Sequence, residues 1–430
     1  MGIRIREAVP RELFDWITSL TEAVPSRSVV TFIELLIGGM LSSSGFVGDA
    51  FQMLTMRRKW TGYQKWLETG KWSWLSIGRQ FTRLALSVIQ PEIVHLVIDD
   101  TVTLRASKKA PGVKRLHQHG NKPNLASYVN GQSWVSLAMI AHRPTGEAIA
   151  LPLLSRLMSG VGNSTKLSAA RTLIRAVSSL FGKRKVRVLV DSWYMRGVFI
   201  KSMIARNFPV IGQVRIDTRL YEHPPERKPK QRGRPRQYGD KITRDTVKAW
   251  ESTTATVQLY GKQQRVRYRS KLLKARFLGG LLVRAVWCEL ERKPGVWTPI
   301  RLFISTDTSL SAEQVLEIYG YRWPIEPLFY ALKHACGLKN AWQQTRQVLS
   351  RWVHIKTVGY GLTQLLSCLN DPLVTALCGH SPWWKNTPQT AGQVRKGLVL
   401  AFRHVAVFHW WNVKCKKFLP PSGLKIPQLE

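Results

Sequence analysis

Over the first ninety residues apolar positions recur at spacings of three and four, the period of amphipathic helices, with Trp and basic residues interleaved over 56–81. Trp60, Trp66, Trp72 and Trp74 suit a helical core better than a DNA-stacking face, because large aromatics bury most of their surface. At Pro91 the texture changes. Residues 93–98 form an unbroken apolar run, read as a buried strand that ends on Asp99-Asp100. Residues 133–142 and 148–154 predict two further strands, after a polar, basic stretch at 105–123. A helix follows, with Ser164 or Thr165 as N-cap and an apolar stripe over 167–181. Residues 186–190 predict a strand ending on Asp191, 194–206 a helix and 210–214 a strand.

Three strands followed by helix, strand, helix, strand predict an α/β unit. Its sheet is mixed, with parallel strands on one side and flanking helices. The ribonuclease-H-like fold has this order. Residues 219–240 interrupt it with Pro224, Pro225, Pro229 and Pro235 among Arg and Lys, which reads as a basic arm. Alternating patterns at 254–260, 266–268, 277–287 and 300–304 predict antiparallel strands, taken as a β-rich insertion. Helix resumes over 311–335, with a possible break, and again over 346–369. The expected organisation is a helical DNA-binding or assembly region (1–90), a first core segment (91–218) and the arm with the β-rich insertion (219–304). A second core segment (305–370) and an unassigned basic tail (371–430) complete it.

Charge narrows the function. Of 430 residues, 65 are Lys or Arg and 26 are Asp or Glu, a formal net charge of +39. Such a chain attracts polyanions, and nucleic acid is the expected partner. An anionic membrane fits less well, because the basic residues are spread along the chain instead of forming one amphipathic helix. The most apolar early stretch, 29–40, contains Glu34 and is too short to span a bilayer. The five cysteines show no Cys-x-x-Cys spacing, which argues against a disulfide framework or a zinc site. The start of the chain carries no apolar signal region, and a reduced cytosolic compartment is expected.

Carboxylates are scarce here, so an Asp at the end of a buried strand needs a reason. Two strand-end carboxylates and one from a helix suit two divalent cations with oxygen ligands, spaced about 3.5–4 Å for phosphodiester displacement. The competing role is an Asp that caps the following turn. Around Glu326 the sequence reads Tyr319-Gly320-Tyr321-Arg322-Trp323-Pro324-Ile325-Glu326, with Lys333 seven positions later. This resembles the Tyr-Arg-Glu-Lys signature of cut-and-paste bacterial insertion-sequence transposases of the DDE type. Val97-Ile98-Asp99-Asp100-Thr101 and Val188-Leu189-Val190-Asp191-Ser192 are similar to that group's two Asp motifs, and the resemblance covers about residues 91–365.

The resemblance implies a ribonuclease-H-like transposase. Asp100, Asp191 and Glu326 would hold two Mg²⁺ ions, with Mn²⁺ as a substitute. Tyr319, Arg322 and Lys333 would contact phosphates near the cleaved end. The partners would be double-stranded DNA, as terminal inverted repeats and target, and a second copy of the chain in a homodimer on DNA. Asp99 and Asp100 point to opposite faces of a strand, so only one can serve; the Asp-Thr pair favours Asp100. Pro324 either kinks a helix or opens a new one. In the second case Glu326 and Lys333 share a helix, and Tyr319 and Arg322 approach from the preceding segment.

Arg232-Gly233-Arg234-Pro235, followed by Arg236, resembles the AT-hook, an extended segment suited to a narrow minor groove; a solvated basic linker is the other reading. Relatives flip a base onto an aromatic in the β insertion. Trp297 is the candidate, and Trp287 is expected in the core. His117 and His119 lie in a basic loop without a third ligand. A structure-selective nuclease of the same fold and a non-catalytic DNA-binding regulator are the alternative functions.

Overall fold

The computed structural model describes residues 9–117, 126–158, 163–226, 233–379 and 389–420. Five helices come first: α1 (Arg11–Thr21), α2 (Val29–Leu41), α3 (Val47–Gln52), α4 (Trp60–Thr69) and α5 (Trp74–Ile89). Strands β1 (Ile93–Leu104), β2 (Val113–His117), β3 (Tyr128–His142) and β4 (Ala148–Leu157) precede α6 (Asn163–Ser178). Then come β5 (Lys185–Val190), α7 (Gly197–Ile204), β6 (Val210–Val214), β7 (Leu220–Tyr221) and α8 (Arg244–Ala249). Strands β8 (Thr253–Leu259), β9 (Lys262–Ala275), β10 (Leu281–Lys293), β11 (Val296–Trp297) and β12 (Arg301–Ser305) follow. Helices α9 (Ala312–Gly320), α10 (Ile325–His334), α11 (Arg346–Leu366), α12 (Pro372–Cys378) and α13 (Ala391–Phe402) lead to the short pair β13 (Trp411–Asn412) and β14 (Lys417–Phe418).

The chain divides into two compact units. One holds residues 1–91, 100–182 and 325–430, the other 92–99 and 183–324. The division falls inside β1, between Asp99 and Asp100.

The second unit carries a mixed sheet. β1 pairs in parallel with β5, and β5 with β6. β12 then pairs antiparallel with both β6 and β10, and β10 with β9. The strands of 219–304 therefore extend the same sheet instead of closing one of their own. The short apolar strands β5 and β6 are buried on both faces, as parallel strands joined by helical crossovers are. Strand β9 alternates buried with half-buried positions over 266–269 and 272–275, whereas β10 is buried over 285–288 and exposed only at Arg292 and Lys293.

In the first unit β3 pairs antiparallel with β2 and β4, and a helical layer packs around α11. β2 lies within the stretch read from sequence as a basic loop. Helix α6 begins at Asn163, so Ser164 and Thr165 fall inside its first turn instead of at the cap. α11 is buried along nearly its whole length, including Arg351, His354 and Lys356. Gly361 permits this, because a Cβ there would stand 2.3 Å from Phe81 Cζ. Arg351 donates to the carbonyls of Leu67 (2.8 Å), Glu68 (3.2 Å), Gly70 (2.7 Å) and Trp72 (2.8 Å), which satisfies the C-terminal end of α4. Trp66 and Trp72 stack at 4.4 Å and are buried, so they serve the core. Glu34 is buried too; it accepts from Tyr63 Oη and the Arg57 amide, both at 2.7 Å. All five cysteines are free. Among the described residues no helix is long and apolar enough to cross a membrane.

His354 gives this helical layer a pH dependence. The Ser155 amide donates to its Nε2 at 3.2 Å, so Nδ1 carries the proton toward Ser350 O at 2.7 Å. Burial lowers the imidazole pKa to about 4 from 6.5. Because the folded pKa lies below the unfolded one, the group's contribution is fully present above pH 6.5 and is lost as pH falls toward 4. The loss should reach about 3 kcal/mol. Thermal unfolding of the wild type and of His354→Gln across this window checks it. The wild type should lose stability more steeply with acid, and parallel curves would contradict the assignment.

Candidate active site

The parallel register of β1 and β5 places Ile98 opposite Val190. The next residues are Asp99 and Asp191; β5 ends before Asp191, whereas β1 runs on to Leu104, so the strand end expected at Asp99-Asp100 falls inside the strand. Asp191 Oδ1 accepts from the backbone amides of Trp193 (3.1 Å) and Tyr194 (3.2 Å). This Asx turn leads the chain off the strand. The structural role weighed for a strand-end Asp is thus real at Asp191, and it leaves the carboxylate half-buried at the sheet edge.

The second unit gathers more of the motif here. Arg322 Nη1 lies 3.4 Å from Asp99 Oδ2, with both side chains largely buried. Its guanidinium carbon stands 5.8 Å from the centre of the Tyr319 ring. Tyr319 is buried against Phe303, with ring centroids 4.9 Å apart. Burial above all pushes its hydroxyl pKa up to about 12; Arg322 opposes the shift, and Asp191 adds to it. Asp99, Asp191, Tyr319 and Arg322 therefore form one electrostatic neighbourhood. Trp323 is exposed beside them, edge-on to Tyr260 at 5.8 Å.

The first unit holds the other predicted residues. Asp100 Oδ2 pairs with Lys166 Nζ of α6 at 2.8 Å. The alternation of the strand thus sends the two members of the doublet to different cations, Asp99 to Arg322 and Asp100 to Lys166. Lys166 was not singled out from sequence, since only the fold brings positions 66 residues apart together. Glu326 lies in the first turn of α10, where the helix dipole favours a carboxylate. Lys333 follows two turns later, on the same side of the helix.

α9 ends at Gly320, residues 321–324 form a turn, and α10 starts after Pro324. The four motif residues therefore do not ride one continuous helix. Pro324 could not supply the amide that a continuing helix needs at that position. Instead Tyr319 and Arg322 come from α9 and its turn, and Glu326 and Lys333 from α10.

The donors at Asp100, Asp191 and Glu326 are carboxylate oxygens, each half-buried, and this suits a hard divalent cation. Among the described residues, however, no group of three or more His, Cys, Asp or Glu is gathered to hold a metal ion.

Trp297 is half-buried, and one face of its ring is covered by the Arg267 guanidinium at 4.7 Å. Arg267 is itself held by Glu289 through two bonds of 3.0 and 2.9 Å. Trp287 is buried and packs edge-on against Trp250 at 5.5 Å, which is a core role. In the basic arm Arg234 and Arg236 are exposed, and Arg232 lies outside the described residues. His117 ends β2 beside Tyr128, and His119 also lies outside the described residues.

A family model described as DDE superfamily endonuclease matches residues 47–274. The match takes in Asp100 and Asp191 and ends before Glu326. A search of curated proteins gave no match. With more than half of its 430 residues covered, and with Asp100 and Asp191 inside the matched segment, the chain belongs to the DDE superfamily endonuclease family.

Proposed function

We propose that this protein is a cut-and-paste DNA transposase of the Tyr-Arg-Glu-Lys group, which cuts DNA at the ends of its element and joins the freed 3′ ends to target DNA. The observation that carries the reading is the gathering of Asp191, Asp99, Tyr319 and Arg322 at one sheet edge. Carboxylates beside groups that can bind phosphate suit a place where a phosphodiester and a cation meet.

Asp100, Asp191 and Glu326 would hold the divalent cations, Mg²⁺ or Mn²⁺. When bound, such ions activate the attacking oxygen and stabilise the charge that develops on the leaving one. The protein's own groups do the positioning. Arg322 offers a planar fork to phosphate, Lys333 a point charge and Tyr319 a single donor that stays protonated at neutral pH. Lys166 offsets the charge of Asp100 in the absence of a cation. Excision needs cuts at two ends, so the active species is a dimer on DNA, favoured once DNA neutralises two strongly basic surfaces.

The test is joining of labelled duplexes, taken from the DNA that flanks the gene, in Mg²⁺. A transposase yields products with 3′ ends joined to new DNA, and a nuclease yields only cut ends. A regulator yields neither, and that outcome would remove the catalytic reading. Complex mass with and without duplex, read in the same samples, checks the dimer.

A further inference from the structure

The second unit contains a cleft of about 640 Å³ that begins one residue beyond Asp191. One wall is the turn after β5, with Trp193 and Arg196. The other walls are the segment after β6, with Arg215 and Arg219, and the short helical turn before β10, with Arg276 and Phe277. The walls are held close: a Cβ on Gly197 would stand 2.6 Å from Phe277 O, so only glycine fits there.

The charge in this cleft is one-sided. Its single carboxylate, Asp217, is spent on Arg215 through two bonds of 3.0 and 2.8 Å. Arg196, Arg219 and Arg276 are exposed and have no carboxylate partner among the described residues. Three guanidinium groups facing one cavity repel each other, and that arrangement gains most from a polyanion. The aromatic rings of Trp193 and Phe277 add apolar faces, against which a sugar or base can lie.

We infer that this cleft is a phosphate-gripping subsite. It holds the DNA strand on the side of the scissile bond nearest Asp191, with the backbone against Arg196, Arg219 and Arg276. The Asx turn makes this more than a basic patch: the Asp191 carboxylate that accepts from the Trp193 amide also sets the position of the cleft wall. A strand seated in the cleft is therefore registered against that carboxylate. The inference rests on the proposed reading of Asp191 as part of the active site.

The experiment compares three chains: the wild type, the cleft variant Arg196→Ala/Arg219→Ala/Arg276→Ala, and a control. The control, Lys262→Ala/Arg292→Ala/Lys293→Ala, removes the same charge from exposed hairpin positions. Binding of a fluorescein-labelled mixed-sequence duplex of about thirty base pairs is followed by anisotropy in EDTA across a salt series. The cleft variant should bind roughly tenfold more weakly, and its slope of log affinity against log salt should be shallower by about 2.7, at about 0.9 for each of three lost phosphate contacts. The control should change little. Equal losses in both variants, or none in the cleft variant, would overturn the subsite, and melting curves confirm that all three chains are folded. Metal-dependent cutting by the wild type is scored separately. Wild-type binding without cutting sinks the catalytic reading and leaves the cleft measurement intact, whereas no binding at all sinks both.

Discussion

Asp191→Asn should cut DNA at least about a thousandfold more slowly than the wild type in Mg²⁺, yet melt at nearly the same temperature. Asparagine keeps the side-chain oxygen that accepts from the Trp193 and Tyr194 amides, so the turn survives. It removes the charge that would hold a cation. The substitution thus separates the two roles that a strand-end Asp can have. A variant that cuts at the wild-type rate would leave Asp191 with the turn alone. Asp100→Asn and Glu326→Gln should show comparable losses with DNA affinity unchanged or improved, because a negative charge near phosphate has been removed. Asp99→Asn should behave differently. Asp99 pairs with Arg322, so its loss frees a guanidinium and should cost much less. If Asp99→Asn abolishes cutting and Asp100→Asn does not, the metal-binding member of the doublet is Asp99.

The parts of this site that could be read from sequence are those that local chemistry determines. Residues 186–190 are apolar and β-branched enough to predict β5, and Asp191 at its end stands out in so basic a chain. Pro324 lacks the amide a helix needs, so a break between Arg322 and Glu326 was foreseeable, and α10 starts after it. What stayed hidden depends on partners distant in sequence. β2 carries Lys114 and Arg115 and looks like loop, because only pairing with β3 makes it a strand. β9 runs from Lys262 to Ala275, although exposed Lys262 and Arg265 at its start and Lys271 within it interrupt the alternation. The Asp100–Lys166 pair is invisible to any local pattern.

Basic residues mislead in another way. Arg105 donates to the carbonyls of Leu338 and Ala341, each at 3.1 Å, and Lys356 to those of Gly39 and Ser42, at 2.8 and 2.6 Å. With Arg351 they are buried and bonded to backbone carbonyls, which suits struts of the fold. From sequence alone they are indistinguishable from DNA-binding positions.

That distinction shapes the second large effect, which is on affinity. Binding to mixed-sequence duplex should weaken by about 10³ to 10⁵ between 50 and 200 mM salt, if six to ten phosphates are neutralised. The formal +39 alone would suggest a still steeper response. It overstates the DNA-facing charge, since part of it sits on buried cations bonded to backbone carbonyls. The slope should therefore report the exposed arginines and lysines, not the total. Substituting a buried strut separates the two populations. Arg351→Met removes one positive charge and leaves the carbonyls of Leu67, Glu68, Gly70 and Trp72 without their donor. It should lower stability by about 3 kcal/mol, as losing several buried hydrogen bonds to a charged group does. The salt slope of the folded fraction should stay at the wild-type value. A slope that flattens with Arg351→Met would place this residue on the DNA after all, and a nearly flat response in the wild type would remove the electrostatic basis for DNA binding altogether.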